Sequence, residues 1–379
     1  MLLNLGYYEG MPVYSDTEQA INKHIALIGS SGSGKSVEAQ RIISNIIKED
    51  GTVFIISSHG TFADDQILPY YKNSINSARS DIKAYDTGVP CPMFERVEFA
   101  DGTLENPADT SGAVTDIISR ALSLGVKQES ILRSATNHVM NTGSYRKKGF
   151  AAIGDALKSA GDKNCTELYD RMQFLFIHKL FYHGEGLIRQ GMVNVVHLDK
   201  LDLKTQEVMV ELLLSYIWRL ANADQFKTQP IYLFIDECQN VMSSSKGSLA
   251  LMISEGRRMG INLILATQMN LQGTTNAVQQ RLSQCGLMLF FKPAANRMGL
   301  TAKMISPSDS VTWNMNLRSL KVGDFVAIGE FSVMDEKIDY PLVVQANTDV
   351  IKKNDEKFHF FEKEESDKCS KIENKKGEF

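Results

Sequence analysis

Residues 29–36, Gly-Ser-Ser-Gly-Ser-Gly-Lys-Ser, lie between two segments of opposite periodicity. Before them, Ile25 to Ile28 form a continuous apolar run, the pattern of a strand buried on both faces of a parallel sheet. After them, Ala39, Ile42, Ile43, Ile46 and Ile47 recur at helical spacing. Gly29, Gly34, Lys35 and Ser36 satisfy G-x-x-x-x-G-K-[ST], the P-loop pattern. A strand, a glycine loop and a helix start aim backbone N–H groups and the helix dipole at an anion. The loop residues Gly29, Ser30, Ser31, Gly32, Ser33, Gly34, Lys35 and Ser36 are therefore candidates for cradling the phosphates of ATP. Lys35 supplies a point charge for the β- and γ-phosphates, and the Ser36 hydroxyl supplies a ligand for Mg²⁺. A dinucleotide fingerprint does not fit, because the third glycine is followed directly by Lys-Ser and the G-x-G-x-x-G spacing is missing.

A P-loop needs acidic partners. Ile231 to Ile235 is a second buried-strand run, and it ends in Asp236-Glu237. In open α/β sheets ligands sit at the carboxyl ends of the strands. Asp236 is thus the candidate second Mg²⁺ ligand, and Glu237 the group that polarises an attacking water. A third strand, Asn262 to Ala266, ends in Thr267-Gln268. The Gln268 amide is placed to touch both the γ-phosphate and that water.

Composition sets outer bounds. The chain has 379 residues, 43% hydrophobic and 23% charged, as expected of a globular protein with roughly two domains. No run approaches about 18 consecutive apolar residues, and the N-terminus lacks the basic start of a signal peptide. The five cysteines, Cys91, Cys165, Cys238, Cys285 and Cys369, have no metal spacing and read as reduced thiols of a cytoplasmic protein. Among the seven histidines, His183 and His197 have no carboxylate or cysteine pattern beside them and read as structural. The net charge of −4 restricts any grip on nucleic acid to a local surface.

Along the chain, Thr52–Ile56 and Ile82–Tyr85 read as further strands. Spacing turns helical after residue 107, with Val114, Ile117, Ile118, Ala121 and Leu122 on one face. Strand character returns at Met192–His197, followed by an apolar helix over Thr205–Ala223 and late strands at Leu287–Phe291 and Phe325–Ile328. The expected organisation is a first part of an ATPase core (1–106), a helical insertion (107–190), the remainder of the core (191–350), and a charged, disordered tail (351–379). Leu282-Ser283-Gln284-Cys285-Gly286 faintly echoes the ABC ATPase signature but follows the acidic motif instead of preceding it.

The order of these parts resembles the HerA/FtsK superfamily of P-loop ATPases, most closely its HerA-like branch with the conjugation and secretion ATPases. The matching stretches are His24 to Ser36, Ile235-Asp236-Glu237-Cys238-Gln239-Asn240, and Glu255-Gly256-Arg257-Arg258-Met259-Gly260 running through Ala266-Thr267-Gln268. The last is the most specific, with its basic pair, glycine, apolar strand and Ala-Thr-Gln. The similarity covers about residues 5–345. It implies an α/β fold: a RecA-like P-loop NTPase with a mainly parallel central sheet flanked by helices, plus a helical insertion. It also implies ATP and Mg²⁺ as ligands, with Lys35 and Ser36 at the phosphates and metal, Asp236 and Glu237 as the acids, and Gln268 as the γ-phosphate sensor. Arg257 matches an arginine that in relatives reaches the nucleotide of a neighbouring subunit. Arg281 and Arg297 compete for that role.

Three departures stand out. Relatives carry an aspartate where Ser57 or Ser58 stands here. HerA proper begins with a small β-barrel, whereas 24 residues precede Ile25. The membrane and DNA-reading segments of FtsK are missing, so the chain reads as a near-minimal motor core. The resemblance leaves three functions open. One is a hexameric, homo-oligomeric ring that moves along or unwinds double-stranded DNA beside a nuclease or DNA-modifying partner. The second is an ATPase powering a conjugation or secretion machine. The third is a nucleotide-gated scaffold. For the ring, loops 243–248 and 272–276 are the candidate pore contacts.

Overall fold

A computed structural model describes residues 2–16, 20–177, 181–182, 186–242, 247–268, 276–334 and 336–345. The proposed pore loops, His183, Cys369 and the expected tail lie wholly or largely outside these residues. In chain order the strands are β1 (Leu2–Tyr8), β2 (Met11–Asp16), β3 (Ile25–Ile28), β4 (Thr52–Ser57), β5 (Arg79–Lys83), β6 (Val89–Pro90), β7 (Phe181–Tyr182), β8 (Val193–His197), β9 (Ile231–Ile235), β10 (Ile261–Thr267), β11 (Leu287–Phe291), β12 (Phe325–Gly329), β13 (Phe331–Val333), β14 (Glu336–Ile338) and β15 (Leu342–Val344).

Nine of them form one sheet in the order β15-β12-β11-β3-β10-β9-β4-β8-β5. The run from β11 to β5 is parallel, and β12 and β15 add antiparallel at one edge. Every residue of β3, β4, β8, β9 and β10 is buried, which explains their continuous apolar runs. Alternation still operates inside those runs, because successive side chains point to opposite faces. Ile25, Leu27, Val53, Ile55 and Ile264 enter one core, while Ala26, Ile28, Phe54, Ile56 and Leu263 enter the other.

Helices cover both faces. On the first face lie α1 (Lys35–Lys48), through Ala39, Ile42, Ile43 and Ile46, and α2 (Pro69–Ser77), through Tyr71 and Ile75. On the second lie α3 (Pro107–Ala121), α4 (Val126–Thr142), α5 (Tyr145–Lys148), α6 (Ala151–Ala160), α7 (Lys163–Ile177) and α8 (Leu203–Asn222). The helices between β6 and β7 thus share one continuous core with the sheet through Val114, Ile118, Leu132, Ile153 and Leu168. Asn106 and Asp202 start α3 and α8 by accepting the N–H groups of Ala108 and Thr205.

Of the remaining six strands, β6 and β7 pair in parallel, and β1, β2, β13 and β14 make a four-stranded antiparallel sheet, which the sequence reading did not find. It joins the two chain ends: Ser332 pairs with Tyr14, and Tyr7 exchanges backbone hydrogen bonds with Gln345. Its inward residues Leu3, Leu5, Val13, Phe331 and Val333 extend the first core. The expected strand at Ile82–Tyr85 lies three residues earlier, at Arg79–Lys83, half-exposed on the sheet edge.

Candidate active site at the strand ends

The P-loop leaves β3 between the carboxyl ends of β10 and β11, and both neighbours hold it. Gly29 N–H donates to the Thr267 carbonyl at 3.1 Å, and Ser30 donates to the Lys292 carbonyl through N–H at 3.1 Å and through Oγ at 2.8 Å. Close approach explains two glycines. A Cβ on Gly29 would lie 2.6 Å from Cβ of Phe291, and one on Gly34 would lie 2.7 Å from Cα of Gly323. Gly34 also has φ +113°, in the left-handed region where a side chain is strained. Gly323 N–H donates to the Ser33 carbonyl at 3.0 Å, so the loop before β12 clamps the P-loop from outside.

The loop presents unmatched donors. The Lys35 and Ser36 N–H groups open α1 behind Gly34, with no capping side chain and no backbone acceptor among the described residues. The Ser36 hydroxyl is exposed and likewise has no partner among them. The Lys35 ammonium folds back onto the Gly29 and Ser30 carbonyls at 2.9 and 2.8 Å. Burial, the largest influence, lowers its pKa, against the pull of the nearby Glu237 and Asp236 charges. Lys35 therefore faces both acids. Orphan N–H donors, a buried cation and a hydroxyl opposite two carboxylates form a donor set that fits a nucleotide triphosphate with Mg²⁺.

The acids are held by Gln268 and by two residues, Thr61 and Gln239, to which the sequence reading assigned no role. Thr61, in the loop after β4, donates its hydroxyl to Asp236 Oδ2 at 2.5 Å, and the Glu237 N–H donates to Asp236 Oδ1 at 2.9 Å. Glu237 takes two amide donors, Gln268 Nε2 at Oε1 and Gln239 Nε2 at Oε2. Gln239 in turn accepts from the Thr267 hydroxyl at 2.7 Å. Glu237 itself sits at φ +47°, unusual for a residue with a side chain and a mark of a backbone held for a purpose. The one signal for Gln239 was a polar residue two places after the acid pair. Thr61 gave none beyond lying in the loop after a buried strand.

Lys35, Asp236, Glu237 and Gln268 therefore meet at the ends of three neighbouring strands. Arg257 does not join them. It lies in a 3₁₀ turn at Gly256–Met259, ahead of β10, exposed and near His24 at the opposite edge of the sheet. The seven residues of β10 put about 20 Å between the two edges. Arg281 donates to the Met242 carbonyl, and half-buried Arg297 ends a 3₁₀ turn beyond β11. A cavity of about 400 Å³ also opens at the opposite edge, lined by Lys23, Asp50, Thr52, Gln190 and Asn262, far from the acids. Ser57, one of the two serines at the position where the resemblance leads us to expect an aspartate, is buried, and its hydroxyl has no partner among the described residues.

His197 departs from expectation. It has a carboxylate partner after all: Nε2 lies 2.6 Å from Asp81 on the neighbouring strand β5. Among the described residues no group of three or more His, Cys, Asp or Glu side chains is placed to hold a metal ion, and no helix is long and apolar enough to cross a membrane. Cys91, Cys165, Cys238 and Cys285 are buried free thiols in no disulfide, with Cys165 Sγ donating to Asp162 at 3.1 Å.

The family model described as "Helicase HerA, central domain" matches residues 3–217, more than half of the chain. The chain belongs to this family. Two curated relatives are each 21% identical. One is the probable helicase MJ1565 of Methanocaldococcus jannaschii, over 85% of this chain and 63% of its own length. The other is the DNA double-strand break repair helicase HerA of Sulfurisphaera tokodaii, over 84% and 66%. The chain thus spans slightly under two thirds of the length of these relatives. Among solved structures, VirB4 of Thermoanaerobacter pseudethanolicus superposes with a TM-score of 0.66 at 14% identity, covering 93% of this chain and 98% of that one. The plasmid coupling protein TrwB with the ATP analogue ADPNP gives 0.54 at 14% identity, over 86% of each chain. These likenesses are of fold: a RecA-like P-loop ATPase core.

Proposed function

We propose that this HerA-family chain hydrolyses ATP with Mg²⁺ as one subunit of a ring motor that moves along or unwinds double-stranded DNA. In this reading Lys35 and the loop N–H groups bind the phosphates, and Ser36 and Asp236 hold Mg²⁺. Glu237 polarises the attacking water, and Gln268 senses the γ-phosphate. Mg²⁺, held by Ser36 and Asp236, would neutralise charge as it develops on the phosphates.

The observation that carries the ring is the separation of Arg257 from the chain's own acids. Among the described residues no arginine donates to Asp236 or Glu237, while Arg257 is exposed at the far edge, where a neighbouring subunit's site could use it. An arginine supplied in trans raises turnover by about 10³–10⁵-fold in other nucleotide hydrolases. The DNA substrate rests on the family and on the break-repair helicase among the relatives.

The test is native mass with Mg²⁺ and an ATP analogue, together with hydrolysis with and without duplex DNA. A nucleotide-dependent oligomer, duplex-stimulated turnover, and loss of that turnover in Arg257→Ala are expected. A monomer under every condition, or hydrolysis indifferent to duplex, overturns the motor reading.

A further inference from the structure

Both oxygens of Glu237 are engaged, each by a glutamine amide. Gln239 is anchored behind: its Nε2 reaches Glu237 Oε2 at 2.5 Å while its Oε1 takes the Thr267 hydroxyl at 2.7 Å. Thr267 is the last residue of β10, and its carbonyl accepts the Gly29 N–H that opens the P-loop. The Cys238 N–H, between Glu237 and Gln239, donates to the Ala266 carbonyl at 3.0 Å, so the main chain is fixed to the same strand. Gln268 lies one residue past the strand end, its amide on Glu237 Oε1.

A carboxylate that must orient a water needs a fixed direction for one oxygen and a free lone pair on the other. The strand-anchored amide of Gln239 suits the first need. We propose that Gln239 is the positioning residue for Glu237: it braces the carboxylate against β10 and the P-loop. This rests on Glu237 being the group that polarises the water. Gln239 touches neither nucleotide nor water and acts only through Glu237.

The amide is needed at both ends. A side chain of the same length without hydrogen-bonding groups loses the donor to Glu237 and the acceptor for Thr267 together. A carboxylate of the same shape keeps the acceptor and sets a like charge against Glu237. A displaced carboxylate misaligns the water in the transition state while leaving the phosphate contacts of ground-state binding intact, so the loss falls on kcat.

The experiment uses the full chain with Mg²⁺-ATP. Gln239→Met is expected to lower kcat about tenfold or more, with KM changed by less than about threefold. Thr267→Val is expected to cost less, about threefold, and to add nothing in the double variant, because both act along one chain of contacts. In a Glu237→Gln background, Gln239→Met should leave the residual rate unchanged. A second readout needs no nucleotide: in urea unfolding of the free protein, the Glu237→Gln and Gln239→Met cycle should show a coupling of about threefold or more in the unfolding constant. Gln239→Glu, which keeps the volume, gives the same kcat loss should the methionine variant fail to fold. A wild-type kcat in Gln239→Met beside an inactive Glu237→Gln, or independent losses in the double variants, overturns the brace. Full turnover in Glu237→Gln instead removes the role of Glu237 on which the brace depends.

Discussion

Two carboxylate clusters sit on this sheet, and they are built to opposite rules. At the outer edge, Asp81 is matched inside the chain: Arg79 grips it with two hydrogen bonds of 2.7 Å, and His197 lies at 2.6 Å. Arg79 also donates to the Phe62 carbonyl at 2.6 Å, which ties down the loop carrying Thr61. Burial tends to raise the Asp81 pKa, but the hydrogen bonds of His197 and Arg79 and the Arg79 charge hold it at about 2. At the strand ends, Asp236 and Glu237 are held by neutral donors alone, from Thr61, Gln239 and Gln268, with Lys35 turned toward its own loop. The first cluster is closed and its charge is balanced. The second gathers negative charge beside unmatched N–H groups, the state of a site that completes itself with a ligand.

The comparison can be broken by substituting the two clusters alike. Glu237→Gln removes the carboxylate proposed to activate the water and is expected to lower turnover about 10²–10³-fold with nucleotide affinity kept. A drop below tenfold would return Glu237 to the closed class.

A third kind of buried polar group calibrates the contrast. His24 is buried, accepts from the Leu263 N–H at 3.1 Å, and has Nε2 without a partner. Burial holds its pKa down at about 4, against the pull of the Met252 and Ile253 carbonyls. In the unfolded chain it protonates near pH 6.5, so unfolding takes up a proton between the two values. Its stability contribution is whole above about pH 6.5 and falls as pH drops toward 4, by about 3 kcal/mol in all. Urea unfolding of the wild type and His24→Gln across pH 4–7 measures this. An equal pH slope in both proteins removes His24 as its source.

Asp81→Asn and Asp236→Asn should then differ in sign. The first leaves Arg79 and His197 without their acid and costs about 1 kcal/mol, reduced because the Asp81 side chain is 35% exposed. The second relieves crowded negative charge and is neutral or slightly stabilising in the free protein, while weakening the Mg²⁺ dependence of hydrolysis. Because the Asp81 pKa is lowered on folding, its contribution is present above about pH 4 and fades as pH falls toward 2, so the Asp81→Asn deficit should shrink in acid. Losses of equal size in unfolding experiments at neutral pH would erase the distinction. The smallest effect belongs to the exposed Arg133 pairs with Asp116 and Glu129, at 3.0 and 3.1 Å: Arg133→Ala should change stability by less than about 0.5 kcal/mol.

Much of the nucleotide site was legible because it is written in contiguous stretches. Each piece is a buried strand followed by a polar strand end, and parallel strands deliver their carboxyl ends to one edge. That is why Lys35, Asp236, Glu237 and Gln268 could be named from 29–36, 236–237 and 267–268. The terminal sheet was not legible. Its strands are short, come from both ends of the chain, and show no strong period until Tyr14 faces Ser332. His197 looked unpartnered for a similar reason, since 116 residues separate it from Asp81.

By itself, then, the sequence determined the P-loop pattern, the strand ends that carry the candidate site residues and the layered α/β core, because local backbone geometry and apolar periodicity encode each of them over a few residues. Only the tertiary structure decided how the acids are held: Thr61 on Asp236, Gln239 between Thr267 and Glu237, Arg79 and His197 on Asp81. Those contacts depend on which strands lie side by side and in what register, and a one-residue slip turns each side chain to the other face.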